Sequence, residues 1–149
     1  VHWASFLADV LVVIHWGVVA FVVGGQLLFI AGAIDWRLVG TDERAPGLRG
    51  LIVRATRNPW IRIGHLVTMA WIVVNTWLGK LCFLTVWEYA LRDLAGEARG
   101  EASFIERWLA EALYVEAPWW VFVAVYTGFF ALVIATLMVA PPRWRRGSG

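Results

Sequence analysis

The chain has 149 residues, 60% of them hydrophobic and only 16% charged, with a formal net charge of +2. Soluble domains carry about 25% charged residues, so the deficit points to a bilayer, and the 11 Trp suit its interfacial belts. So small a net charge, with no arginines set among base-stacking aromatics, excludes nucleic acid as a partner, and a single cysteine, Cys82, excludes an internal disulfide framework.

The first apolar span runs over about 6–34, interrupted only by Asp9, His15 and Gln26. No basic stretch precedes it in the manner of a cleavable signal. His15 and Gln26 lie eleven residues apart, three helical turns, and share a face. Ala20 and Gly24 make a small-xxx-small step that predicts close helix contact.

The connection 35–62 holds six arginines against three acids. Leu48, Leu51, Ile52 and Ala55 recur there at helical spacing beside Arg49, Arg54 and Arg57. This segment reads as a lipid-surface element attracted to anionic lipid. Asn58 before Pro59 reads as an N-cap followed by Pro at the first helical position, opening a second span over about 63–84. His65, Thr68, Met69, Ile72 and Thr76 fall on one face of it.

The connection 85–117 holds three arginines and seven acids. Thr85 to Glu88 and Ser103 to Glu106 have the spacing of capping boxes, and Gly96 is a helix-ending glycine. Two short amphipathic helices are predicted, over about 86–95 and 104–114. The third span, 119–140, has no charged residue. It starts after Pro118 on a Trp pair and stops at Pro141, Pro142 and a basic run, and about 20 apolar residues suffice to cross. Residues 147–149 read as an appended tail.

Basic residues favour the cytoplasm. The arginine bias therefore predicts a multi-pass protein of the inner membrane with its N-terminus outside and its C-terminus inside.

Polar groups inside a membrane are functional candidates by default. His15 and His65, on two helices, have the residue type for a haem held by two imidazoles. Cys82, Glu88 and Glu106, with Asp9 and Lys80, fall in the outer half and are candidate ligands of a metal ion. Each has a plainer reading. A histidine in a bundle often hydrogen-bonds a neighbouring helix, the two glutamates serve their caps, Lys80 snorkels to the interface, and Cys82 packs as a small apolar residue. There is no HExxH, CxxC, phosphate loop or Ser-His-Asp order to assign a reaction.

These residues resemble a family of small bacterial inner-membrane proteins known only as a domain of unknown function. The resemblance rests on Ala8, Asp9 and His15; on His65 and Leu66; on Cys82, Leu84, Thr85 and Glu88, with Phe83 in place of a proline; and on Phe104, Ile105 and Glu106, with Arg107 in place of a histidine. Tyr114 matches a later Tyr-Pro, with Val115 in place of the proline. It covers most of the chain except the inner connection, which is longer here. It implies a small bundle of three or four spans and no activity. If relatives use the histidine replaced by Arg107 as a ligand, this chain has lost it.

The expectation is an all-α, single-domain integral membrane bundle over 1–146, with three transmembrane helices and two short amphipathic helices on the outer face. The expected function is a non-catalytic accessory or assembly subunit of a larger respiratory or photosynthetic type of complex, with the lipid bilayer and membrane-protein subunits as partners. The alternative is a haem- or metal-binding redox protein using His15 and His65.

Overall fold

The computed structural model describes residues 2–40, 44–97, 108 and 118–144. Every regular element among the described residues is a helix, so the all-α expectation holds. Helix α1 spans His2–Ile34 and runs on through a π-helical turn, Asp35–Val39. Helix α2 is Gly47–Arg57, α3 is Pro59–Trp77, α4 is Phe83–Ala95 and α5 is Trp119–Val139.

The three-span architecture does not hold. Two helical stretches among the described residues are long and apolar enough to cross a membrane, His2–Val39 and Trp119–Val139. Helix α3 is not a third. It carries Arg62, His65, Asn75 and Thr76 within 19 residues, and it stops at Trp77 instead of reaching Leu84. The stop is chemical. Gly79 takes φ 66, a left-handed conformation open to glycine without steric cost. Its N–H bonds the Thr76 carbonyl at 3.1 Å, while Lys80 N–H bonds that of Asn75 at 2.9 Å. Gly96 closes α4 in the same way, at φ 79, as its place in the sequence predicts.

Helix starts are mixed. Asn58 is held extended ahead of Pro59, with ψ 117, as a residue before proline must be. Its Oδ1 accepts from Trp60 N at 3.0 Å, so the predicted cap forms. The capping box at Thr85 does not. Helix α4 begins at Phe83 with Cys82 as its N-cap, which leaves Thr85 and Glu88 inside the helix and fully buried. The second amphipathic helix, 104–114, lies outside the described residues apart from Trp108.

The chain divides into two compact units. The first, Val1–Val19 with Ile72–Tyr126, takes the opening of α1, the end of α3, all of α4 and the start of α5. In it the Trp119 indole N–H donates to the Thr76 carbonyl at 3.1 Å, and Trp16 meets Trp108 edge-on with centroids 5.2 Å apart. Its core holds Ala4, Ala8, Val73, Leu84, Tyr89 and Phe122.

The second unit, Ala20–Trp71 with Thr127–Gly149, holds the rest. Here α3 runs antiparallel to α1, with His65 beside Val22 and Arg62 beside Phe29, and Arg62 also reaches Thr136 and Ala140. The predicted small step at Ala20 and Gly24 is not where helices close up; a side chain at Gly24 would meet open space. The close approach is at Gly32, where any Cβ would run into the Thr56 side chain of α2. Arg143 N–H bonds the Arg57 carbonyl at 3.0 Å and ties the segment after α5 to the end of α2.

Candidate functional site

The second unit contains a polar seam. Burying a polar group costs about 1–3 kcal/mol unless it is hydrogen-bonded, so the bonds along the seam carry the packing. The Gln26 amide Nε2 donates to Thr136 Oγ1 at 3.2 Å and lies 3.4 Å from the Leu132 carbonyl. Thr136 Oγ1 in turn donates to the Val133 carbonyl at 2.9 Å. Arg62 Nη2 donates to the carbonyls of Thr136 at 2.7 Å and Ala140 at 3.1 Å. Those oxygens lie at the C-terminal end of α5, where the dipole favours a cation, and the Thr136 carbonyl also accepts from Ala140 N–H at 3.0 Å. Arg62 is 2% exposed, and no carboxylate pairs with it among the described residues.

His65 extends the seam. Its Nε2 lies 2.8 Å from the Val22 carbonyl. A carbonyl can only accept, so Nε2 carries the proton. The ring is packed edge-on against Phe21 and Phe29, with centroids 5.5 and 5.0 Å away. The Arg62 guanidinium sits 4.5 Å from the Phe29 ring centre, a cation–π contact. Phe29 thus bears on both the cation and the imidazole. Three buried atoms of this seam, Gln26 Oε1, Arg62 Nε and His65 Nδ1, have no hydrogen-bond partner among the described residues.

Arginines also fasten the helix ends of this unit. Arg37 donates to the Val139 carbonyl from Nε at 2.9 Å and Nη2 at 2.7 Å. The Arg57 guanidinium lies 4.3 Å from the Trp36 ring and is buried, which turns it away from the surface role predicted for it. Arg49 and Arg54 remain exposed.

The first unit has one charged hub. Arg92 bonds Glu88 at 3.0 Å, Glu97 at 2.7 Å and Asp9 at 3.1 Å. Asp9 thereby pairs with an arginine of the 85–117 connection. Burial by itself lowers the Arg92 pKa, but the bonds to Glu97 and Glu88 and the charge of Glu88 outweigh it and hold the value above normal. The Glu97 carboxyl is held below the usual value by hydrogen bonds with Ser5 first and Arg92 second.

The predicted site residues distribute as follows. His15 and Gln26 are both buried, as their shared face requires. His15 belongs to the first unit and His65 to the second. His65 makes the bond to a neighbouring helix that its plainer reading expects, and ligation through Nε2 would have to break it. Glu88 joins Asp9 on Arg92. Cys82 is half-buried at the start of α4, Lys80 is exposed, and Glu106 lies outside the described residues. Among the described residues no group of three or more His, Cys, Asp or Glu is disposed to hold a metal ion.

Sequence reasoning missed Arg62, Thr136, Thr56 and the Arg92–Glu97 pair. A signal for the first was present. Arg62, His65, Met69, Val73 and Thr76 recur at spacings of three and four, and all five are buried.

Over residues 5–142 the chain matches the family described as Protein of Unknown function (DUF2784), and it belongs to that family. No curated protein and no solved structure matches it.

Proposed function

We propose that this DUF2784 protein is a multi-pass protein of a bacterial inner membrane that works by binding other membrane subunits, as an accessory or assembly component. The observation that supports it is how little of its most apolar helices is covered. Only 17% of the apolar window in each of His2–Val39 and Trp119–Val139 is buried. A core helix of a soluble protein would be mostly covered. Large apolar side chains face outward instead, among them Phe6, Val13 and Trp120 of the first unit and Leu27, Trp60 and Met138 of the second. Such a surface is stable against acyl chains or against another apolar helix.

The buried polar groups favour a structural over a catalytic task. Gln26, Arg62, His65 and Thr136 spend their hydrogen bonds joining helices.

The test is gentle solubilisation of native membrane followed by size separation and identification of co-migrating chains. Co-migration with larger membrane subunits is expected. Migration as a free single chain in mild detergent would sink the accessory reading. A Soret band on the same purified material, lost in His15→Ala, would transfer the assignment to the haem alternative.

A further inference from the structure

Helix α2 is built with its greasy side out. The face it buries is Gly50, Val53, Thr56 and Arg57. The opposite face presents Leu48 at 71% and Leu51 at 55% exposure, and Arg49 and Arg54 stand exposed on either side of that stripe. Neither water nor a packed protein core satisfies both kinds of group at once. A membrane surface does, with acyl chains below and phosphates at the level of the guanidinium groups.

The charge balance of this unit fits the same surroundings. Over 20–71 and 127–149 it carries nine arginines and three carboxylates, Asp35, Asp42 and Glu43. Arg37 is spent on the Val139 carbonyl, Arg57 on the Trp36 ring and Arg62 on the α5 terminus, while Arg44, Arg49 and Arg54 are exposed. The apolar stretches of α1 and α5 both end in this unit, and Trp60 and Trp144 are 76% and 63% exposed there. Tryptophan favours that depth.

We propose that α2 lies in the plane of the membrane surface and binds the phosphate groups of anionic phospholipids through Arg44, Arg49 and Arg54, with Leu48 and Leu51 sunk at the acyl boundary. The inference rests on the membrane residence proposed above and adds a lipid class and the residues that select it.

The test uses the full chain reconstituted in vesicles of phosphatidylcholine with phosphatidylglycerol. Alkaline carbonate extraction is applied first. The protein is then released into mild detergent, and the bound lipid is counted by native mass spectrometry. Retention through carbonate, with phosphatidylglycerol kept over phosphatidylcholine, is expected. Each of Arg49→Gln and Arg54→Gln should weaken that preference about fivefold, and raised salt should weaken it further. The double lysine variant R49K/R54K should restore most of it. Arg44→Gln, which lies outside α2 and leaves its packing alone, should show the same fivefold loss and serves if the α2 variants fail to fold.

Equal retention of the two lipids, or an unchanged preference in Arg44→Gln and the α2 variants, overturns the lipid inference while leaving membrane residence intact. Displacement of the lipid by millimolar inorganic phosphate overturns it in favour of a free-anion site. Release of the chain by carbonate removes the membrane reading and this inference together.

Discussion

Arg62 donates from Nη2 to the Thr136 carbonyl at 2.7 Å, so that a buried cation is neutralised by the end of a helix rather than by an acid. Its second acceptor, the Ala140 carbonyl, lies one residue past the end of the same helix. The pairing works because the carbonyl end of a helix carries about half a negative charge, and the Thr136 oxygen accepts from Arg62 as well as from Ala140 N–H.

Replacing Arg62 therefore removes two hydrogen bonds from a helix end. Arg62→Leu is expected to destabilise the protein by about 2–3 kcal/mol, the range for charge-assisted hydrogen bonds lost from a buried site. Arg62→Lys should recover part of this, since a single ammonium keeps the charge but not the planar fork or the stacking on Phe29. Thermal melts of the purified protein in one detergent measure both, and equal stability of all three forms would show the pairing to be idle.

The approach of α1 to α2 depends on a missing side chain. Gly32→Ala places a methyl against Thr56 Oγ1 and Cβ, and overpacking of this sort costs about 1–3 kcal/mol. Thr56 Oγ1 also donates to the Ile52 carbonyl at 2.8 Å, so its own removal has a smaller cost. In the double variant Gly32→Ala/Thr56→Ala the two losses should be less than additive, because the oxygen in the way is gone. A double-mutant cycle by denaturant titration in detergent reads the coupling.

The Arg92 hub predicts an acid-sensitive element. The Glu97 carboxyl has a folded-state pKa below its ordinary value of 4.5. On acidification the unfolded chain then takes up the proton before the folded one. The contribution to stability is whole above about pH 4.5 and drains away as pH falls through the folded-state value. Glu97→Gln should flatten the stability profile in that acid window while changing little at neutral pH, because the carboxylate is exposed and screened. Arg92→Met should do more, about 3 kcal/mol at neutral pH, since Glu88 is 1% exposed and loses its charged neighbour. Melting midpoints recorded from pH 6 to pH 3.5 separate the two.

Local chemistry was legible where a single residue type decides the backbone. Asn58–Pro59 opens a helix and Gly96 ends one because cap geometry is set by neighbours in sequence. The buried face of α1 through His15 and Gln26 was legible from spacing. The uncharged stretch 119–140 declared itself from composition alone and became α5. The span expected over 63–84 misled because hydropathy continues past Trp77, while the left-handed turn at Gly79 ends the helix without changing the composition.

What the residues determined by themselves was an all-helical chain, rich in apolar surface, with its arginines gathered in two segments. The fold alone decided which arginines are structural. Arg57 looks no different from Arg49 and Arg54 in sequence, and only its register with His65 and Met69 marks Arg62. Yet Arg57 and Arg62 stack on Trp36 and Phe29 inside the second unit, and the other two face outward. The reason is that a guanidinium's fate depends on whether a ring or the carbonyl end of a helix comes within its reach. Those come from α1 and α5, distant in the chain and brought near only by packing.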